Sequence, residues 1–108
     1  MQDILRQFDN DMMEVYRSAK RECRYNATYF LNMLHELKGL GTAKRLISAA
    51  HAQYGFDKLW ECNCLHLTVE CLILRPKYQA LFEEAELDEA RRRLRNHGYD
   101  PEQCNQEM

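Results

Sequence analysis

The sequence has little of what a many-stranded protein needs. Two prolines and four glycines in 108 residues are too few to turn a chain between many short strands, which sets aside sandwiches and barrels. No apolar run approaches the ~18 residues of a transmembrane helix. Met1-Gln2-Asp3-Ile4 lacks the basic and long apolar regions of a secretory leader. Charge of one sign is also scarce. Fifteen basic against seventeen acidic side chains leave a formal charge of −2, so no strong global pull toward nucleic acid or anionic lipid is expected. The acids gather in the last third, from Glu83 to Glu107, around Arg91, Arg92, Arg93 and Arg95. With 30% charged and 45% hydrophobic residues, the composition is that of one folded domain.

What the sequence has in quantity is helical periodicity. Between Asp3 and Cys23 the apolar residues Ile4, Leu5, Phe8, Met12, Val15, Tyr16, Ala19 and Cys23 recur at steps of three and four, one stripe of a long amphipathic helix. Asn26 reads as the N-cap of a second helix through Tyr29, Phe30, Met33, Leu34 and Leu37, with Gly39 as its stop. Thr42 reads as the cap of a third, with Ala43, Leu46, Ile47 and Ala50 inward. Residues 52–56 read as a loop, and Asp57 caps a short segment containing Leu59 and Trp60. Residues 64–74 (CLHLTVECLIL) are the most apolar stretch and read as a central buried helix. Pro76 opens a short helix, as its missing N–H allows. A last helix runs from about Glu84 to Asn96, acidic first and basic last, closed by Gly98. Residues 100–108 are a polar tail expected to fray.

The connected pattern resembles a family of small all-helical bacterial proteins, seen alone or as terminal modules. The pieces are Phe8-x-x-Asp11-Met12 with Tyr16 and Ala19-Lys20, Tyr25-Asn26-Ala27-Thr28 with Phe30-Leu31, Gly39-Leu40, and Ala43-Lys44-Arg45-Leu46. They continue through Gly55-Phe56, Leu59-Trp60-Glu61, Leu67-Thr68-Val69-Glu70, Tyr78, Leu81-Phe82, Ala90-Arg91, Arg93-Leu94 and Gly98-Tyr99. That family has no agreed biochemical function and often lies near mobile elements or defence genes. The cysteines at 62, 64 and 71 and His66 depart from the pattern, so no family role passes to them.

Five cysteines (Cys23, Cys62, Cys64, Cys71, Cys104) make an odd number without a leader, which reads as reduced thiols in a cytoplasmic protein. Cys62-x-Cys64-x-His66 with Cys71 carries ligands that zinc prefers. All four lie within ten residues, however, where structural zinc sites use two well-separated pairs, so no metal or other cofactor is assigned. No Cys, Ser and His are spaced as a nucleophile with its base. Residues 39–45 hold two glycines and a lysine near a helix start, but after a helix and not a strand, which is no phosphate loop. An enzyme is not expected.

The expectation is therefore an all-α, compact orthogonal bundle of about five to seven short and medium helices, a single domain over residues 1–99, acting by binding another protein. The candidate contacts are Arg24, Tyr25, Tyr29, Arg45, Tyr54, Trp60 and Tyr99, because Tyr, Trp and Arg are the usual interface anchors; Trp60 is expected to fill a gap between helices. The resemblance adds an accessory or inhibitory role in a phage-defence or mobile-element setting. The contrasting reading is a helix-turn-helix-like nucleic-acid module using Thr42, Lys44 and Arg45, with Arg91, Arg92 and Arg95 on the backbone. Self-association is open, and no membrane is involved.

Overall fold

The computed structural model describes residues 2–48 and 54–105. The fold is all-α, with no strand among the described residues. Its elements are α1 (Gln2–Cys23), α2 (Thr28–Ser48), α3 (Tyr54–Glu61), α4 (Val69–Ile73) and α5 (Glu84–Asn96), with 3-10 turns at Leu65–Leu67, Pro76–Leu81 and Pro101–Asn105. No described helix is long and apolar enough to cross a membrane.

α1 follows the predicted stripe. Phe8 and Met12 are fully buried and Ala19 nearly so. Phe8 meets Tyr78 and Phe82 edge to face, at 4.9 and 5.7 Å between ring centroids, an arrangement that suits the ring quadrupoles. Tyr78 then donates its hydroxyl hydrogen to Asp11 on α1.

The two helices expected on either side of Gly39 are continuous apart from a break at Lys38 (φ 63°, ψ −179°). The left-handed residue is thus the lysine and not the glycine. Gly39 serves a different need, the close approach of α1. Its N–H donates to Asp9 Oδ1 at 2.8 Å, and a β-carbon there would sit 2.6 Å from that oxygen and 3.1 Å from Asp9 Cα. Asn26 is not the cap either: α2 begins at Thr28, and Asn26 Oδ1 accepts from the Tyr16 hydroxyl at 3.0 Å. The expected Ala50 contact and residues 52 and 53 of the expected loop lie outside the described residues, while Tyr54, Gly55 and Phe56, expected in that loop, are already helical in α3.

The stretch at 64–74 is buried as expected, with every residue from Thr68 to Leu74 in the interior, but it is not one helix. Thr68 takes extended backbone (φ −77°, ψ 158°). Its hydroxyl donates to the Leu65 carbonyl at 2.7 Å and accepts from Cys71 N–H at 3.1 Å. A threonine that binds backbone on both sides competes with helix continuation and starts a new one. Pro76 opens its 3-10 turn as predicted. α5 also matches its expected bounds, framed by a Glu83–Glu86 capping box and closed by Gly98 at φ 81°. There Gly98 N–H donates to Arg95 O and Tyr99 N–H to Leu94 O, the Schellman pattern.

The tail expectation fails over residues 101–105. They form a turn in which Pro101 and Cys104 are buried, and Cys104 is bonded to Cys71 in the core. A second disulfide joins Cys23, at the end of α1, to Cys62 after α3. Cys64 alone is free. The reading of all five as reduced thiols is corrected accordingly: the pairs lie 39 and 33 residues apart in sequence, so spacing alone gave no sign of the pairing.

Candidate functional site

The α1–α2–α3–α4 junction leaves a half-open cavity of about 330 Å³, at the small end of the range that takes a ligand or a large side chain. Its wall is drawn from four segments. Tyr16 and Ala19 come from α1, Tyr29, Phe30 and Met33 from the first half of α2, Phe56 and Leu59 from α3, and Val69 and Glu70 from the start of α4; Tyr25 and Gly55 stand beside one another at its edge. The break at Thr68 falls within this wall, since Thr68, Val69 and Glu70 all line the cavity.

Glu70 is the one acidic residue among the described lining residues. Glu70 is 6% exposed and Arg93, on α5, 2%. Arg93 Nη1 donates to Glu70 Oε2 at 2.9 Å. The same guanidinium donates to the Leu46 and Ile47 carbonyls at 3.2 and 2.9 Å, and through Nε to Glu89 at 2.8 Å. It therefore ties α4, α5 and the C-terminal carbonyls of α2 together, satisfying acceptors that a helix end leaves open. Burial outweighs the bond from Arg93 and holds the Glu70 carboxyl above its usual pKa. Glu89 goes the other way: the bonds from Arg92 and Arg93, the Arg92 bond foremost, bring it down to about 2 against the cost of its own burial. Sequence reasoning missed this pair. Its one signal was Glu70 standing as the lone charge in the apolar run from Cys62 to Leu74.

Of the expected contact residues, Tyr25 and Tyr29 come together on the pocket, Tyr29 being 71% exposed. Arg24 is exposed beside Tyr25, at φ 54°, and Arg45 is exposed beside the lining residue Leu46. Trp60 is not the expected core plug. It is 49% exposed and stands edge-on to His97 at 4.8 Å. Tyr99 is half-buried against the core at the end of α5 and does not line the pocket. Tyr54 begins α3, and its side chain lies outside the described residues.

The nucleic-acid residues do not form one exposed face. Thr42 is fully buried, with its hydroxyl unpartnered, so it is not a cap. Lys44 donates to Glu86 at 2.7 Å and lies over the Phe82 ring. Arg91 pairs with Asp88 and Glu84, and Arg92 with Glu89, neighbours on the helix surface at three-residue spacing for Asp88–Arg91 and Glu89–Arg92. Arg45 and Arg95 are exposed. The zinc-like set is likewise dispersed: Cys62 and Cys71 are bonded elsewhere and His66 is exposed, and no group of three metal-ligating side chains occurs among the described residues.

Charge is distributed unevenly around the pocket. Lys20, Arg24, Arg45 and Lys58 each adjoin a lining residue in sequence, and none has an ion-pair partner among the described residues. Of the acids in the same position, Glu14 is paired with Arg21 and Arg17, and Asp57 lies 3.9 Å from the His97 ring, which balances its charge only when the imidazole is protonated. An apolar hole can seat an apolar group, and unpaired cations that neighbour its wall in sequence would favour one that brings negative charge with it. Comparison with protein families, with curated proteins and with solved structures found no match to this chain.

Proposed function

We propose that this chain is a non-enzymatic protein-binding module whose pocket seats one large apolar side chain of an acidic, amphipathic partner segment. The observation that carries the reading is the apolar 330 Å³ cavity, supported by four cations that adjoin its lining residues in sequence and have no ion-pair partner among the described residues. Anchor residues in pockets dominate binding energy, while rim charges set approach and selectivity. The described lining residues are mostly apolar and aromatic and include no Cys, Ser or His, which favours a binding role. A defence or mobile-element setting, as an accessory or an inhibitor, extends this reading by family resemblance.

A random-peptide display selection against the folded protein tests it. Peptides with acids flanking a large apolar residue should be enriched. They should lose binding to Gly55→Leu, which plugs the cavity; a β-carbon at Gly55 makes only ordinary contact, 3.6 Å from the Tyr25 ring. They should also weaken by tenfold or more against Arg24→Glu/Arg45→Glu. Enrichment of basic peptides, or of binders indifferent to both variants, refutes the reading.

A further inference from the structure

Three of the five cysteines meet at one junction. The Cys23–Cys62 disulfide joins the end of α1 to the turn after α3, and Cys64, the free thiol, lies in that same turn. The chain reverses at Asn63 (φ 62°). Asn63 N–H donates to Trp60 O at 2.9 Å and Cys64 N–H to Leu59 O at 2.7 Å, the Schellman pattern. Cys64 is thereby folded back on Cys62, and its thiol donates to the Cys62 carbonyl at 3.4 Å. A single left-handed residue between them sets the two Cα atoms roughly 5–6 Å apart, inside the span of about 4.4–6.8 Å that a disulfide bridges. Cys62 is exposed and Cys23 and Cys64 are half-buried, so dissolved thiols reach this bond. The Cys71–Cys104 bond, by contrast, is buried.

We propose that Cys23, Cys62 and Cys64 form a thiol–disulfide exchange site for low-molecular-weight thiols of the glutathione type, with Cys64 as the resolving thiol. An incoming thiolate attacks the exposed Cys62 Sγ, the Cys23–Cys62 bond breaks, and Cys23 leaves as a thiolate. The Cys64 thiolate then attacks Cys62 Sγ, the Cys62–Cys64 bond forms, and the small thiolate departs. With no small thiol present, Cys64 attacks directly and Cys23 leaves in the same way. The Cys64 proton passes through solvent to the departing thiolate. One sulfur–sulfur bond replaces another, so no electrons are gained or lost overall. Burial, with the Glu22 charge behind it, holds the Cys64 thiol above its usual pKa, so exchange quickens as pH rises. The product closes a loop around Asn63 alone and no longer ties α1 to α3. None of this depends on what the pocket binds.

The folded, oxidised protein is held at pH 7 or pH 9, quenched with acid, alkylated, digested with trypsin and mapped by mass spectrometry. At pH 9, residues 22–24 with alkylated Cys23 should be released from residues 59–77. Their release should be at least tenfold faster than at pH 7 and independent of protein concentration. Glutathione should speed it at pH 7 and leave Cys62 and Cys64 bonded to each other, with neither alkyl group nor glutathione on them. In Cys64→Ser, release should stop without glutathione. Native pairing that persists at pH 9, or release that is unchanged in Cys64→Ser, overturns the proposal. So does glutathione retained on Cys62 in the wild type, or a rate that grows with protein concentration. The wild-type maps decide the matter even if the variant does not fold.

Discussion

Replacing Arg93 with methionine removes the charge while keeping much of the length and volume of the chain. Glu70 is then left buried without its partner, and at pH 7 its least costly escape is to take up a proton. For a carboxyl starting from an ordinary pKa of 4.5, that costs about 3.4 kcal/mol at ~1.36 kcal/mol per unit. The wild type already bears part of this cost, since burial holds the folded pKa high. Against that, the Leu46 and Ile47 carbonyls lose their donors, each worth about 1 kcal/mol. The sum falls at about 3–5 kcal/mol, the usual range for breaking one side of a buried pair, and a large share of a total stability of ~5–15 kcal/mol. At pH 5 the protonation part shrinks to about 0.7 kcal/mol while the carbonyl part of about 2 kcal/mol stays, so the damage should fall by up to half. Urea unfolding followed by circular dichroism, with the disulfides kept oxidised, measures both numbers. With m near 1–2 kcal/mol/M, the midpoint should drop by roughly 2 M or more at pH 7. A loss below about 1 kcal/mol, or one that is the same at both pH values, would refute the reasoning.

The two carboxylates should titrate stability in opposite senses. Glu70, with its folded pKa raised, contributes most below pH 4.5 and loses that contribution as pH rises through the folded pKa, so Glu70→Gln should close the gap on wild type as pH climbs. Glu89, at about 2, contributes above pH 4.5 and loses it as pH falls toward 2, so Glu89→Gln should flatten the acid limb of the unfolding curve. Gly39→Ala forces a β-carbon onto Asp9 and should cost about 1–3 kcal/mol, read as a lowered urea midpoint. Thr42→Val removes a buried hydroxyl without a partner and should raise stability by about 1 kcal/mol; an unchanged or lower midpoint would mean the hydroxyl is satisfied. Alkylation of the unfolded, unreduced protein should modify one cysteine, Cys64, and alkylation after reduction should modify all five.

The helices that the sequence announced were those with a clean period and local punctuation. α1 carries one uninterrupted stripe, and α5 carries an acidic start, a basic end and Gly98. Where the outcome differed, a side chain bonded in a way that spacing does not encode. Thr68 bonds backbone on both sides and splits the 64–74 run. Lys38 takes the left-handed backbone expected of Gly39, because Gly39 is held against Asp9 across the α1–α2 contact. Turned to ψ −179°, the Lys38 carbonyl leaves the helix line, and Thr42 one turn on is without the acceptor that a helical threonine ordinarily uses.

The candidate site was legible only in fragments, for a reason that also bears on its chemistry. Tyr25 and Tyr29 were singled out as aromatics, but Phe30, Met33 and Val69 read as the buried faces of their helices, and Phe56 as part of a loop. Arg93 holds Leu46 and Ile47 of α2 while pairing with Glu70 of α4. One guanidinium therefore holds two lining residues of the pocket, Leu46 through its carbonyl and Glu70 through its carboxylate. A ligand that fills the pocket should stabilise the fold by mass action and should stabilise Gly55→Leu, which cannot admit it, not at all.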